Sequence, residues 1–326
     1  MGNYVLNEKL FSKPEMMSGR DGFGDGVFEL AKKDKRVVVL TADLKESTRV
    51  ERFANAFPDR FIECGVAEQN MMGIAAGLAA AGKIPVVASY AVFSPGRNWD
   101  QLRVSVCYSN LPVIIGGSHI GMSAGPYGST HQALEDIALT RVLPNLTVIA
   151  PCDYWETRKA IEAAPSVAGP VYIRFSREKS AVVTRKEASF MLGKADKIWD
   201  TGKDAAIVAC GPIVYEALLA AEVLAIEGIK VTVINNHSIK PMDHETILET
   251  ARECNAVVTV EEHQIAGGMG SAVCELLAQH WPVPVEMVGV HDHFGESGTP
   301  EELAVKYGLK AENIVKAVKK VIERKE

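Results

Sequence analysis

Apolar residues along this chain fall into two interleaved patterns. Five nearly unbroken apolar runs, rich in β-branched residues, are RVVVLTA (36–42), IPVVASY (84–90), PVIIGG (112–117), LTVIA (146–150) and PVYIRF (170–175). Such runs predict strands covered on both faces. Between them lie stretches with helical spacing, such as WETRKAIEAA (155–164). This alternation predicts a parallel sheet with helices on both sides. A polar, irregular stretch at about 176–203 interrupts it. The alternation then resumes with AAIVAC (205–210), KVTVINN (230–236), AVVTVEE (256–262) and PVEMVGV (284–290). The pattern predicts an α/β protein of two doubly wound domains, residues 1–190 and 191–326. A chain of 326 residues is too long for one small core.

Composition narrows the class of partners. A net charge of −6 argues against a nucleic-acid surface or an anionic membrane. No run of about 20 apolar residues predicts a membrane span, and MGNYVLNEKLFSKPEMMSGRDG lacks the apolar core of a signal peptide. Cys64, Cys107, Cys152, Cys210, Cys254 and Cys274 form no CxxC pair. That spread predicts reduced structural thiols and a cytoplasmic setting, with neither a disulfide framework nor a zinc site.

The segment GVAEQNMMGIAAGLAAAG (65–82) is small or apolar except for Glu68. It reads as a buried helix, with Gly73 and Gly77 admitting another backbone at close range. A carboxylate entering a dry site must be paired or hold a proton. Glu68 is therefore either an ordinary first-turn glutamate, favoured by the helix dipole, or a group placed to share a proton with a ligand.

Other motifs divide by context. GDG (24–26) is not expected to be a diphosphate–metal loop, because it runs into the helical VFELAKKDK and the strand follows it. GGMG (267–270) is expected to let a helix start close to a neighbour, with no chemistry of its own. SHIGMSAGPYGSTHQALED (118–136) is a Gly- and Ser-rich loop between a strand and a helix, framed by His119 and His131. A single histidine is more often structural, but loops at the carboxyl ends of parallel strands are where ligands bind. Tyr90 and Phe93 at the end of another strand are either core aromatics or a flat wall for a heteroaromatic ring.

Taken together, GVAEQNMMGIAAGLA, STHQALEDIALTRVLPNLTVIAPCD, EEHQIAGGMGS and FGESGTPEELAVKYGL occur in an order that resembles the C-terminal half of transketolase, as in split, two-subunit transketolases. The resemblance covers nearly the whole chain. It implies a pyrimidine-binding domain followed by a transketolase C-terminal domain, with thiamine diphosphate as cofactor. The diphosphate and its Mg²⁺ or Ca²⁺ would be held by a separate N-terminal subunit, in an α2β2 assembly in which this chain also self-associates. Glu68 matches the family's glutamate on the pyrimidine N1′. A proton shared there lets the cofactor's own amino nitrogen take the C2 proton. Tyr90 and Phe93 match the pyrimidine pocket, and His131 matches a histidine at the sugar's reacting hydroxyls. Arg20, Ser47, His119 and Arg177 match the set that grips the substrate phosphate. Two guanidinium forks, an imidazole and a hydroxyl suit a tetrahedral oxyanion, so a sugar phosphate and a sugar sulfonate are both admissible.

One position departs from the family pattern. Tyr127 stands where an aspartate usually meets a sugar hydroxyl, which implies altered sugar specificity or a side chain turned outward on its glycine hinges. The expected activity is transfer of a two-carbon ketol unit from an anionic ketose to an aldose, as in pentose phosphate metabolism. The rivals are a 1-deoxyxylulose-phosphate synthase-like or 2-oxoacid dehydrogenase β-like subunit, and a non-catalytic regulatory subunit.

Overall fold

Strands with no polar face to present to water set the architecture. The computed structural model describes residues 5–325. In chain order its strands are β1 (Met16–Ser18), β2 (Val37–Thr41), β3 (Phe61–Glu63), β4 (Ile84–Tyr90), β5 (Ile114–Ser118), β6 (Thr147–Ile149), β7 (Val171–Phe175), β8 (Lys179–Ala181), β9 (Asp196–Asp200), β10 (Ala205–Ala209), β11 (Val231–Asn235), β12 (Ser238–Lys240), β13 (Val257–Gln264) and β14 (Val285–Val290). A seven-stranded sheet has the order β12-β6-β7-β5-β4-β2-β3 and is parallel except for β12. A five-stranded sheet, β14-β13-β10-β11-β9, is parallel except for β9. β1 and β8 form a short antiparallel ribbon. Helices cover the sheets, so the α/β class expected from the apolar runs is what the chain adopts. Each of the nine runs named above holds all or most of a strand.

Five strands lie outside those runs, one of them β3, a three-residue parallel strand at the edge of the larger sheet. β1, β8, β9 and β12 are three to five residues long, and each pairs antiparallel at a sheet edge or in the ribbon. Edge strands need only one neighbour, so sequences such as DKIWD suffice. β12 joins the β6 edge of the larger sheet although it follows β11 of the smaller one, so the chain crosses back and fastens the two sheets together.

The glycines of GDG lie inside the helix Gly19–Lys33, capped by Ser18 and packed on the helix Tyr154–Ala163. A Cβ at Gly22 or Gly24 would overlap the carbonyl oxygens of Tyr154 and Arg49. The triplet thus serves close packing and makes no phosphate loop. The helix Glu68–Ala80 buries Met71, Met72, Ala75, Ala76 and Ala79, but Gly73 and Gly77 are exposed with no atom within 4 Å of a Cβ placed there. The close backbone expected at those glycines is therefore absent within the described residues of this chain. The cysteines are unpaired, and burial pushes the thiols of Cys107 and Cys254 up to about 11, which suits inert structural thiols. Among the described residues no helix is long and apolar enough to cross a membrane.

Candidate functional site

Parallel strands in one sheet deliver their carboxyl ends to a single edge. Adjacent strands β7, β5, β4, β2 and β3 are followed respectively by Arg177, His119, Phe93, Ser47 and Glu68, and Tyr90 is the last residue of β4. Arg20 joins them from the start of the helix Gly19–Lys33. Its backbone N–H donates to the Ser176 carbonyl at 3.0 Å, which sets Arg20 beside Arg177.

The aromatic rings assemble around Tyr90. His119 stacks on it at 3.7 Å between centroids, and Phe93 lies nearly parallel at 5.6 Å. Tyr127 and His131 stand edge-on to it at 6.2 and 5.9 Å. Burial raises the pKa of the Tyr90 phenol, which is also influenced by the neighbouring side chains of Ser47 and Tyr127. Tyr127 therefore turns into the cluster. Its ring also packs against the Arg177 guanidinium at 4.8 Å, so the outward orientation open to it from sequence is not adopted. Arg177 pairs with Glu178.

Two features mark the anion-facing side. His119 has φ of +62°, a left-handed conformation that a non-glycine residue holds only when its surroundings impose it. Its Nδ1 shares a 2.7 Å hydrogen bond with Ser118, whereas Nε2 is buried without a partner. Burial, and then the Arg20 and Arg177 charges, push its pKa down to about 3, so the ring is neutral at pH 7. In the tautomer in which the Ser118 hydroxyl donates to Nδ1, Nε2 carries the hydrogen and is a free donor. Arg20 Nη1 donates to the Ser47 carbonyl at 3.2 Å, while the Nε atoms of Arg20 and Arg177 are buried and unpartnered. Burial and the neighbouring guanidinium groups of Arg49 and Arg177 lower the pKa of Arg20. Free donors and crowded positive charge make a receptor for an anion.

Glu68 is the first residue of its helix and is buried, as expected, but it is not isolated. Arg97 Nη1 donates to its Oε1 at 3.1 Å, and the same guanidinium lies over the Phe93 ring at 4.0 Å. A flat, N–H-bearing group thus already sits on an aromatic face with a hydrogen bond to the buried carboxylate. An aminopyrimidine ring needs those two contacts, so the residues present fit such a ring. Arg97 is half exposed and free to leave. Nothing in the sequence singled out Arg97, although it follows Phe93 within a turn's length of chain.

A second unanticipated group is Glu262 on β13. Its carboxylate accepts the Ser123 N–H, and a Cβ at Gly121 would overlap it. Gln132 Nε2 donates to the carbonyls of Gly125 and Glu296 at 3.3 and 2.9 Å. The later half of the chain thus clamps the loop that carries Tyr127 and His131. The only sequence signal was that Glu262 lies within EEHQIAGGMGS.

Comparison with known proteins gives the family of both domains. Residues 15–181 match the profile of the transketolase pyrimidine binding domain, and residues 193–314 that of the transketolase C-terminal domain. The chain is 44% identical over 320 residues to the 6-deoxy-6-sulfo-D-fructose transketolase subunit SqwH of Clostridium sp. (strain MSTE9), covering 98% of this chain and 99% of that one. It is 38% identical over 310 residues to one of the subunits of the apulose-4-phosphate transketolase of Phocaeicola vulgatus, covering 95% and 99%. A solved structure described as a split gene transketolase, inactive beta4 tetramer, superimposes with a TM-score of 0.89 at 45% identity, covering 95% of this chain and all of that one.

Proposed function

The chain belongs to the transketolase family, and on that premise we propose that it is the pyrimidine-side subunit of a split transketolase. It moves a two-carbon ketol unit from an anionic ketose to an aldose, in carbohydrate metabolism of the cytoplasm. The division at residue 190 separates a pyrimidine-binding domain from a C-terminal domain. A diphosphate-domain subunit supplies the missing half of the site, with Mg²⁺ or Ca²⁺ on the diphosphate, and the working assembly is α2β2. The observation that carries this is the convergence of Arg20, Ser47, His119, Tyr127, His131 and Arg177 on the Tyr90–Phe93 wall, beside the buried carboxylate of Glu68.

Thiamine diphosphate, when bound, supplies the carbanion equivalent and the electron sink. This chain's residues do the rest. Glu68 holds a proton at the pyrimidine N1′, and Arg97 gives up that place. Tyr90 and Phe93 orient the flat ring. His131 meets the hydroxyls at the reacting end of the sugar. Arg20, Ser47, His119 and Arg177 hold the far anion and so fix the sugar's reach. Arg20 and Arg177 bring charge, the neutral imidazole of His119 an N–H, and Ser47 a hydroxyl. The two relatives named above act on a sulfonated and a phosphorylated sugar, which supports a tetrahedral oxyanion as the shared recognition element.

The test is reconstitution. This chain, the diphosphate-domain subunit, thiamine diphosphate and Mg²⁺ are expected to transfer a ketol unit from phosphorylated or sulfonated ketoses and to reject pyruvate as donor. This chain without its partner is expected to be inactive. Turnover of pyruvate in preference to ketoses would move the assignment to a synthase or dehydrogenase. Transfer by the lone chain would remove the need for a split site.

A further inference from the structure

Away from that edge, where β9 and the β11–β12 link meet the helix Tyr154–Ala163, three ionisable side chains converge. We propose that Glu156, Asp196 and His237 bind a divalent transition-metal cation of the zinc type, which ties the two sheets together. Their ligand atoms lie within 4.8 Å of one another. None belongs to the candidate active site.

The geometry starts at the histidine. His237 is 1% exposed, and its Nε2 lies 3.1 Å from the Met191 carbonyl oxygen. A carbonyl only accepts, so Nε2 carries hydrogen. The other nitrogen, Nδ1, has no hydrogen-bond partner and lies 3.7 Å from Glu156 Oε1 and 3.8 Å from Asp196 Oδ2. A neutral ring would aim that lone pair at two carboxylates, which calls for a cation between them. A proton on Nδ1 fits poorly, because N–H···O bonds span about 2.7–3.2 Å. A metal fits better. Bonds of about 2.0–2.2 Å at tetrahedral to trigonal angles place two ligand atoms roughly 3.3–3.8 Å apart.

The surroundings have the supporting contacts expected of a metal site. Ligating histidines donate their second N–H to a carbonyl or carboxylate, and ligating carboxylates are themselves hydrogen-bonded. Glu156 Oε1 accepts from Asn235 Nδ2 at 2.7 Å, and Oε2 accepts from the Cys152 N–H at 2.8 Å. Phe190 covers the imidazole at 4.5 Å. The Asn235 Oδ1 is buried and unpartnered, and can hold a metal-bound water. Asp196 is 27% exposed, which leaves an entry path. The Lys159 ammonium, a cation felt by Asp153, Glu156 and Asp196, donates its hydrogen bond to the Arg185 carbonyl at 3.0 Å and to none of these carboxylates. Two carboxylates and one neutral imidazole balance a double positive charge, and imidazole favours zinc-like ions over magnesium.

The test uses the full chain without its partner subunit, so the ion on the cofactor diphosphate plays no part. The protein is equilibrated with Zn²⁺, desalted, and assayed for zinc by mass spectrometry and for thermal unfolding by circular dichroism. One zinc per chain is expected, with a raised unfolding midpoint. Asp196→Asn keeps the side chain's size at a half-buried position, and is expected to weaken zinc retention by at least about tenfold and to abolish the thermal shift. His237→Asn is expected to do the same, and Co²⁺ is expected to give visible tetrahedral absorption bands only in the wild type. A wild-type chain that holds no zinc overturns the proposal and leaves a bridging imidazolium. Zinc retained equally by both variants also overturns it, and places the ion on the free thiols.

Discussion

Replacing Arg177 by alanine removes one guanidinium from the proposed anion receptor and leaves His131, the histidine proposed to meet the sugar, untouched. In the free chain Arg177 pairs with Glu178 and packs on the Tyr127 ring at 4.8 Å. Glu178 is 37% exposed, so that pair contributes little and yields readily to a better anion. A hydrogen bond to a charged group is worth about 1.5–3 kcal/mol. Arg177 is 23% exposed, and partial screening favours the lower part of that range. Tenfold corresponds to about 1.36 kcal/mol, so kcat/KM for a phosphorylated or sulfonated ketose is expected to fall about 10- to 40-fold. A neutral ketose with the same reacting end is expected to change less than about twofold, since it never engaged the guanidinium. The assay is steady-state kinetics of the reconstituted enzyme with three donors that differ only in the terminal group. Tyr127→Phe serves as a control for loosening of the ring beneath Arg177. An equal loss for the neutral ketose would refute the assignment, because it would make Arg177 a structural support for Tyr127.

Three further outcomes follow from the same geometry. Glu68→Ala is expected to slow exchange of the bound cofactor's C2 hydrogen about 100- to 10,000-fold while the fold persists, since the orphaned Arg97 is half exposed; near-normal exchange by NMR in the reconstituted complex contradicts the role. Tyr127→Asp replaces a neutral phenol that faces Arg177 and Tyr90 with an anion, and is expected to reorder specificity constants across epimeric ketose donors; an unchanged order means that Tyr127 does not meet the sugar. Burial pushes the Glu261 carboxyl up to about 7 from 4.5, although it accepts the Met269 and Gly270 N–H groups. The unfolded chain loses this proton first, so the group's stabilisation is complete below pH 4.5 and is lost as pH rises to about 7. Glu261→Gln is expected to flatten that slope, worth up to about 1.4 kcal/mol per pH unit, in urea unfolding at pH 5 and 7.5; identical slopes for both proteins exclude it.

The central strands were legible because a parallel strand buried on both faces is apolar at nearly every position, as Val37–Leu40 is; in Val171–Phe175 the one exception, Arg174, is buried against Asp136. The rejection of GDG as a phosphate loop was legible too, since such a loop lies between a strand's end and a helix's first turn, whereas residues 24–26 lie inside a helix whose N–H groups are already bonded. No described residue of this chain packs on Gly73 or Gly77, and their sequence could not say which backbone would, because a glycine carries no polarity to tell an open face from a packed one. Edge strands such as β9 and β12 were invisible, since one neighbour and a short ladder impose no apolar pattern. The motifs named Arg20, Ser47, His119 and Arg177 as a set, but only the order β7-β5-β4-β2 brings the loops after those strands to one edge, beside the helix start that carries Arg20. Tertiary structure alone set Arg97 across Phe93 and Glu68, turned Tyr127 inward, and brought Glu156, Asp196 and His237 together. Local sequence specifies the conformation of each segment. The ends of strands far apart in the chain meet only through the pairing of the sheet, and the contacts among their side chains are decided there.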